Sequence, residues 1–215
     1  MKYVKPINEF WGDVLKRDLL GETREEDKFR SKEDLIRHLK SEINKQGKNV
    51  VIRDLDVSLI EDLNGLFCGI TKGVKSLDLS GWRTSGAKDM GGMFWGGTTI
   101  ESLNVSGWDT SKVETMGSMF HCCENLKSLD LSSWDTSNVK EMNGMFFDCM
   151  SLKSLDLSAW KTPNVENINW MFGSCRNLKS LNLSGWNTPK LEHADSTFYD
   201  CPAPYEVINN KIVRK

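Results

Sequence analysis

The sequence predicts an α/β solenoid, a coil of repeated units with a parallel inner sheet. Two observations predict it: three residue types recur every 26 positions without an insertion, and the apolar spacing changes from strand-like to helix-like inside each unit. A fixed period gives every unit the same geometric role, which is typical of a solenoid. The recurring residues are Leu77, Leu103, Leu129, Leu155 and Leu181; Trp82, Trp108, Trp134, Trp160 and Trp186; and Phe94, Phe120, Phe146, Phe172 and Phe198.

The first part of each unit is predicted to be a strand. Leu126, Leu129 and Leu131 follow L-x-x-L-x-L, the strand signature of leucine-rich repeats, which specifies a right-handed leucine-rich-repeat coil. Trp134 stands where such repeats usually carry Asn or Cys. Because indole offers no acceptor, another side chain must bond the buried turn backbone. We expect the threonine hydroxyls to do so, at Thr84, Thr110, Thr136, Thr162 and Thr188.

The second part of each unit is predicted to be a short helical return. Its apolar residues step by three, three, one and three, which places them on one helical face. Glycines in this segment lower helix propensity, so short or 3₁₀ turns fit as well as a long α-helix. Stacked units would bury these side chains at roughly 1.5–3 kcal/mol each. In one unit they are Val113, Met116, Met119, Phe120 and Cys123.

Both ends are predicted to be caps. Residues 1–48 contain an N-terminal arm and a capping helix that begins after Ser31 and ends at Gly47. Residues 49–73 form a degenerate first repeat, and residues 74–203 form five full repeats. Residues 204–215 are predicted to form a C-terminal strand cap, a hairpin that turns at Asn209-Asn210.

Composition and charge exclude several classes of function. The 215 residues carry 28 basic and 30 acidic side chains, so bulk charge gives no affinity for nucleic acid. No apolar run approaches the length of a membrane span, and the first residues show no secretory signal. We therefore expect a cytoplasmic protein without a membrane partner.

Cysteine and histidine suggest no catalytic or metal site. Stacking would align four thiols in a row, whereas zinc needs ligands that converge on one point. We therefore expect buried thiols that act as small hydrophobic groups, with no metal, no cofactor and no enzymatic activity. A Cys–His nucleophile at His121 lacks a third, orienting group. The thiols in one phase of the repeat are Cys123, Cys149, Cys175 and Cys201.

Two surfaces are candidates for binding a partner protein. An acidic-to-amide column on the outer face of the strands either docks a polar or basic partner or is a solvated sheet surface. It contains Asp78, Asn104, Asp130, Asp156 and Asn182. Large aromatic residues break the repeat in the return segment, and they either anchor an interface or pack on neighbouring turns. They are Trp95, Phe147, Trp170 and Tyr199.

The motif from Leu126 to Cys149 resembles the BspA-like bacterial leucine-rich repeats of 26 residues. It reads Leu-x-Ser-Leu-Asp-Leu-Ser-x-Trp-Asp-Thr-Ser-x-Val-x-x-Met-x-x-Met-Phe-x-x-Cys. The resemblance implies a repeat scaffold, common on bacterial surfaces and in adhesion. This chain departs from the surface members because we find no signal peptide, wall anchor or spacer in it.

The sequence therefore predicts a non-catalytic protein-binding scaffold that acts through a rigid repeat surface. One alternative is an intracellular effector or inhibitor, host- or phage-encoded, that blocks a host or defence protein. The other alternative is a bacterial adhesin-like module exposed at the cell surface.

Overall fold

A computed structural model describes residues 28–208 and 211–215. The predicted N-terminal arm up to residue 27 and the predicted turn at Asn209-Asn210 lie outside the described residues. The described part of the chain holds one helix and seven strands. They are α1 (Lys32–Gln46), β1 (Asn49–Val51), β2 (Ser76–Asp78), β3 (Ser102–Asn104), β4 (Ser154–Asp156), β5 (Ser180–Asn182), β6 (Tyr205–Ile208) and β7 (Lys211–Arg214).

Helix α1 begins and ends where the sequence predicts. The Ser31 hydroxyl accepts the Asp34 backbone N–H at 3.1 Å, which caps the first turn. Gly47 ends the helix at a φ of 73°, a left-handed conformation that suits glycine. The apolar face of α1 is buried through Leu35, Leu39 and Ile43. No helix among the described residues is long and apolar enough to cross a membrane.

The repeat strands β1 to β5 pair in parallel, and the paired strands carry the same positions of neighbouring repeats. Strands β1, β2 and β3 form one sheet, and β4 and β5 form another. Leu77 lies opposite Leu103, and Leu155 lies opposite Leu181. We number the repeats as unit 0 (49–73) and units 1 to 5 (74–99, 100–125, 126–151, 152–177 and 178–203). These small parallel sheets are compatible with a repeat solenoid.

The return segments are stacked turns without an α-helix, so the structure selects the short turns from the two alternatives that the sequence leaves open. Backbone N–H groups at alternate positions donate to carbonyls of the next unit instead of to carbonyls of their own turn. The N–H groups of Met116, Ser118, Phe120 and Cys122 donate at 2.8–2.9 Å to the following unit. Ser118 and Cys122 have φ values of 56° and 58°, which lie in the left-handed region. These values allow the N–H groups at alternate positions to point toward the same neighbouring unit. We call these bonds the turn ladder, and its segments are 63–69, 90–97, 116–123, 142–149, 168–175 and 194–201.

Two aromatic columns form the centre of the stack. The repeated tryptophans lie 5.8–6.5 Å apart between ring centroids, and the repeated phenylalanines of units 1 to 5 lie 5.5–5.6 Å apart. Phe67 of unit 0 extends the second column and stacks on Phe94 at 5.1 Å. These contacts confirm that identical positions form continuous interior columns. Offset ring stacking adds to the free energy of burial.

Side chains tie neighbouring units together inside the core. The hydroxyls of four buried threonines donate to a backbone carbonyl of the next unit, which confirms the predicted role of the threonine row. Thr188 lies in unit 5, and the described residues contain no further unit after it. The indole N–H groups contribute bonds that the sequence analysis did not predict: Trp82, Trp108, Trp160 and Trp186 each donate to a carbonyl of an earlier unit at 2.6–3.1 Å.

Unit 3 interrupts this regular pattern on the strand side. Residues 128–130 form no strand, which separates β3 from β4. Leu129 is half-buried, whereas Leu103 and Leu155 are buried. The Trp134 indole N–H is buried and has no acceptor in the described structure. The turn ladder nevertheless continues through unit 3, so the two sides of the stack differ in regularity.

The strand cap at the C-terminal end is an antiparallel hairpin of β6 and β7. Tyr205 makes two contacts with unit 5 of the kind that one repeat makes with the repeat before it. Its ring stacks on Phe198 at 6.1 Å between centroids, and its hydroxyl accepts the Leu183 backbone N–H at 3.3 Å. In unit 4 the equivalent N–H, that of Leu157, donates to the next unit.

Candidate binding surfaces

The large aromatic residues of the return segments form one continuous row on the turn side. We call it the aromatic row. Successive ring centroids are 5.6, 4.8, 5.9 and 5.5 Å apart. The structure therefore brings together the four aromatic residues that the sequence singles out and adds a histidine between them. In order, the row contains Trp95, His121, Phe147, Trp170 and Tyr199.

The aromatic row contacts itself and still faces solvent. Trp95 is 52% exposed, Trp170 is 42% exposed and Tyr199 is 60% exposed, whereas His121 and Phe147 are half-buried. The rings therefore pack on neighbouring turns, as one of the two sequence interpretations expects, and they still leave part of their surface open to solvent. Exposed Trp and Tyr side chains in a contiguous group are typical of interaction surfaces.

The row stays continuous across unit 4 because Trp170 supplies a ring where Gly173 has none. At the position after the repeated phenylalanine, unit 4 carries Gly173. A Cβ on Gly173 would lie 2.9 Å from Phe147 Cδ2 and 3.3 Å from Trp170 Cε3, so both rings need this glycine. Trp170 itself adopts a φ of 60°, where units 1 and 3 have Gly92 and Gly144. This exchange explains both breaks from the repeat.

Charged groups flank the row without entering it. Burial lowers the pKa of His121 and the nearby Asp148 carboxylate only partly opposes this, so the imidazole is neutral at pH 7. The buried Nδ1 of His121 has no hydrogen-bond partner in the described structure. Arg176 pairs with Asp200 at 2.7 Å, and this bond raises the pKa of the guanidinium.

The acidic column lies on the strand side, and its members share a structural role. Each side-chain oxygen accepts the backbone N–H of the residue two positions later at 2.9–3.2 Å, which closes a tight turn after the strand. Bonds from Ser132 lower the pKa of Asp130, and bonds from Ser158 lower that of Asp156. The alternation of Asp and Asn is explained because both supply the oxygen. The column contains Asp78, Asn104, Asp130, Asp156 and Asn182.

Three thiols of the cysteine row are buried and donate hydrogen bonds. Cys123, Cys149 and Cys175 each donate to the carbonyl of a phenylalanine 29 residues earlier, at 3.4, 3.2 and 2.9 Å. Burial raises the pKa of Cys123 to about 12, so this thiol stays protonated. Cys201 is half-buried, and all six cysteines are free. Within the described residues, no group of three His, Cys, Asp or Glu side chains could hold a metal ion.

A groove of about 550 Å³ separates the last unit from the hairpin. Trp186 lines it and is half-buried because no further tryptophan stacks on its outer face. Tyr205, Lys211 and Ile212 form the opposite wall. The groove arises because Tyr205 stacks on Phe198, the last ring of the phenylalanine column, whereas no further tryptophan stacks on Trp186.

Two features were not predicted from the sequence: the place of His121 in the aromatic row, and the turn ladder that holds the row in position. The signal for His121 was its position, since it directly follows the repeated phenylalanine as Trp95, Phe147 and Tyr199 do. The turn ladder left no such signal, because steps of three residues fit a helix and a series of turns equally well.

One family model matches the chain over residues 42–127 and again over residues 97–211. The two matches overlap and together include all of the full units and part of α1. No curated protein matches the chain. A single family model that matches twice with an offset is expected for a repeated sequence. The chain belongs to the repeat-containing family described as Mycoplasma protein of unknown function, DUF285.

Proposed function

We propose that this chain is a non-catalytic protein-binding scaffold that presents the aromatic row to a partner protein. One observation carries the proposal: five aromatic rings, one from each of units 1 to 5, form a contiguous surface, and three of them are about half-exposed. An aromatic row of this extent is not needed to fill the core, which the buried phenylalanines already occupy. Trp and Tyr supply large contact areas at low entropic cost.

The backbone beneath the row supports this role because it is fixed on both sides. In unit 2, Cys122 donates to the Phe147 carbonyl at 2.9 Å, and in unit 1 Gly96 donates to the His121 carbonyl at 2.9 Å. Four of the five ring residues therefore take part in turn-ladder bonds, namely His121, Phe147, Trp170 and Tyr199. A surface that is ordered before binding loses little conformational entropy on docking.

A finer description of the fold belongs to the same proposal. The stack is proposed to be a right-handed leucine-rich-repeat solenoid of the BspA-like kind. The motif L-x-x-L-x-L and the parallel pairing of equivalent leucines support this description. A repeat scaffold agrees with binding because such folds present one long continuous surface.

The acidic column is a weaker candidate surface than the aromatic row. Its side chains already close turns, so their repetition is explained without a partner. Asp78 is further engaged by Arg53 at 2.8 Å. The small serines beside the column and the remaining carboxylate oxygens keep it available to a basic partner.

The test is quantitative affinity capture with two matched variants. The row variant carries Trp95→Ala, Trp170→Gly and Tyr199→Ala; glycine is the residue that units 1 and 3 have at the position of Trp170. The column variant carries Asp130→Lys and Asp156→Lys. Circular dichroism and thermal melting first establish that both variants keep the fold of the parent protein.

We expect a stoichiometric partner that the parent and the column variant bind and that the row variant binds at least 10-fold more weakly. Equal binding by the row variant would refute the proposal. Loss of binding in the column variant alone would assign the site to the strand side. The cellular location of the partner then separates an intracellular inhibitor from a surface adhesin.

A further inference from the structure

Within the part of the chain that the structure describes, the turn ladder ends in a row of donors without acceptors. In each of units 1 to 4, four alternate N–H groups donate to four carbonyls of the next unit at 2.7–3.0 Å. The equivalent groups of unit 5 have no acceptor within the described residues. They belong to Ala194, Ser196, Phe198 and Asp200.

The opposite end carries a row of carbonyls that accept no ladder bond from the described residues. In unit 1, the carbonyls of Asp89, Gly91 and Met93 accept N–H groups from unit 0 at 2.8–2.9 Å. The corresponding carbonyls of unit 0 accept no bond from any described residue. They belong to Asp62, Asn64, Leu66 and Cys68, again at every second position.

Most described contacts of the two caps involve the strands and the core, and the capping helix reaches the turn side of unit 0 through the ion pair of Lys32 with the Asp62 carboxylate at 3.0 Å. At the N-terminal end, the Gln46 side chain bonds both the N–H and the carbonyl of Val51, and the Phe29 N–H donates to the Asp56 carbonyl. At the C-terminal end, Tyr205 covers Phe198 and bonds Leu183. We call the residues that carry the two rows the turn edges of unit 0 (62–68) and of unit 5 (194–200). Exposed side chains at these edges are Asn64 and Cys68 in unit 0 and Ser196, Tyr199 and Asp200 in unit 5.

We propose that the turn edge of unit 5 docks the turn edge of unit 0 of a second copy of this chain. Donors and acceptors match in two-residue spacing and in direction, because both rows are halves of the ladder that joins successive units, by four bonds at each junction from unit 1 to unit 5 and by three between units 0 and 1. An exposed edge of this kind is a template for pairing with another chain. Since the two edges differ, the contact is head-to-tail and adds copies without closing. The proposal stands independently of the partner that the aromatic row binds.

The geometry of this junction makes a disulfide test possible. Cys68 follows Phe67 in unit 0 as Tyr199 follows Phe198 in unit 5, so Cys68 of the second copy would lie above Tyr199. Neighbouring positions in a parallel ladder are roughly 4.8 Å apart, within the Cα separation that a disulfide spans. Variant Tyr199→Cys would therefore link to the native Cys68 of the next copy under mild oxidation.

The expected result is a series of covalent dimers, trimers and larger species on a non-reducing gel. The control variant Tyr199→Cys with Cys68→Ser lacks only the second thiol, and it should stop at dimers. Products that are the same for both variants would overturn the proposal. Circular dichroism establishes that both variants are folded before oxidation.

Amide hydrogen exchange of the unmodified chain gives an independent measurement. We expect the N–H groups of Ala194, Ser196, Phe198 and Asp200 to exchange several-fold more slowly as protein concentration rises, while the amides of units 2 and 3 stay unchanged. Protection of the four groups already at the lowest concentration would mean that the chain covers its own edge, which overturns the proposal. Fast exchange at every concentration would overturn it as well.

Discussion

Trp108 and Trp134 provide a matched pair that measures the value of one buried indole hydrogen bond. Both side chains are 3% exposed, and both stack between two neighbouring indoles. The Trp108 indole N–H donates to the Leu79 carbonyl at 2.9 Å, whereas the Trp134 indole N–H has no acceptor in the described structure. Substitution by phenylalanine removes the same atoms at both positions and keeps an aromatic ring in the column.

The expected difference follows from the groups that each substitution leaves unpaired. Trp108→Phe leaves the Leu79 carbonyl without a donor, which costs about 1–3 kcal/mol. Trp134→Phe instead removes a buried donor that is already unpaired. Since the loss of ring volume is common to both, Trp108→Phe should reduce the free energy of unfolding by about 1–3 kcal/mol more than Trp134→Phe does.

Urea unfolding followed by far-UV circular dichroism measures this difference, because fluorescence itself changes when a tryptophan is removed. The m-values of both variants should equal that of the parent, so that the shift in midpoint reports stability alone. The melting temperatures should differ by on the order of 5 °C for a chain of this size. Equal destabilisation, or a larger effect at Trp134, would refute the assignment of the hydrogen bonds.

Three further expectations follow from the same contacts. Thr136→Val should lower the free energy of unfolding by about 1–2 kcal/mol through loss of the bond to the next unit, whereas Thr188→Val in the last unit should change it little, as measured by urea unfolding. Hydrogen bonds from two lysines, Lys127 first, lower the pKa of Glu101 from 4.5 to about 2. The stability that this carboxylate contributes is therefore complete above pH 4.5 and is lost as pH falls toward 2, so Glu101→Gln should flatten the stability profile in that window. Iodoacetamide should modify the exposed Cys68 within minutes and the buried Cys149 only on unfolding, which peptide mass spectrometry resolves.

The sequence was most informative where one physical demand repeats in every unit. A buried leucine, tryptophan or phenylalanine must match the residue above it, so the 26-residue period reveals the interior columns directly. Helix α1 was equally predictable, because Ser31, its apolar face and Gly47 are local signals. The aromatic row could be found as a set of exceptions, since its members are large where a framework residue would be uniform.

The remaining features depend on directions that residue spacing does not encode. Met116, Met119 and Phe120 lie on one face of a helix or on the inner side of stacked turns, and only the direction of their N–H groups separates the two structures. The interruption at unit 3 is still harder to foresee, because Leu129 and Trp134 occupy regular positions of the repeat. In both cases the difference lies in the backbone conformation, which the identity and spacing of the residues do not reveal.

Folding explains the uniform positions of this repeat, whereas the variable positions need a further explanation. Positions inside the stack keep one residue type because each must fill the same space against its neighbour. The position after the repeated phenylalanine varies among Trp, His, Phe, Gly and Tyr, and where it becomes Gly173 the ring of Trp170 restores the surface. Packing alone would accept a small residue in every unit, as it does at Gly173. The aromatic surface is thus kept in unit 4 although a different position supplies the ring, which supports a role beyond folding. The binding measurement with the row variant decides whether that role is partner binding.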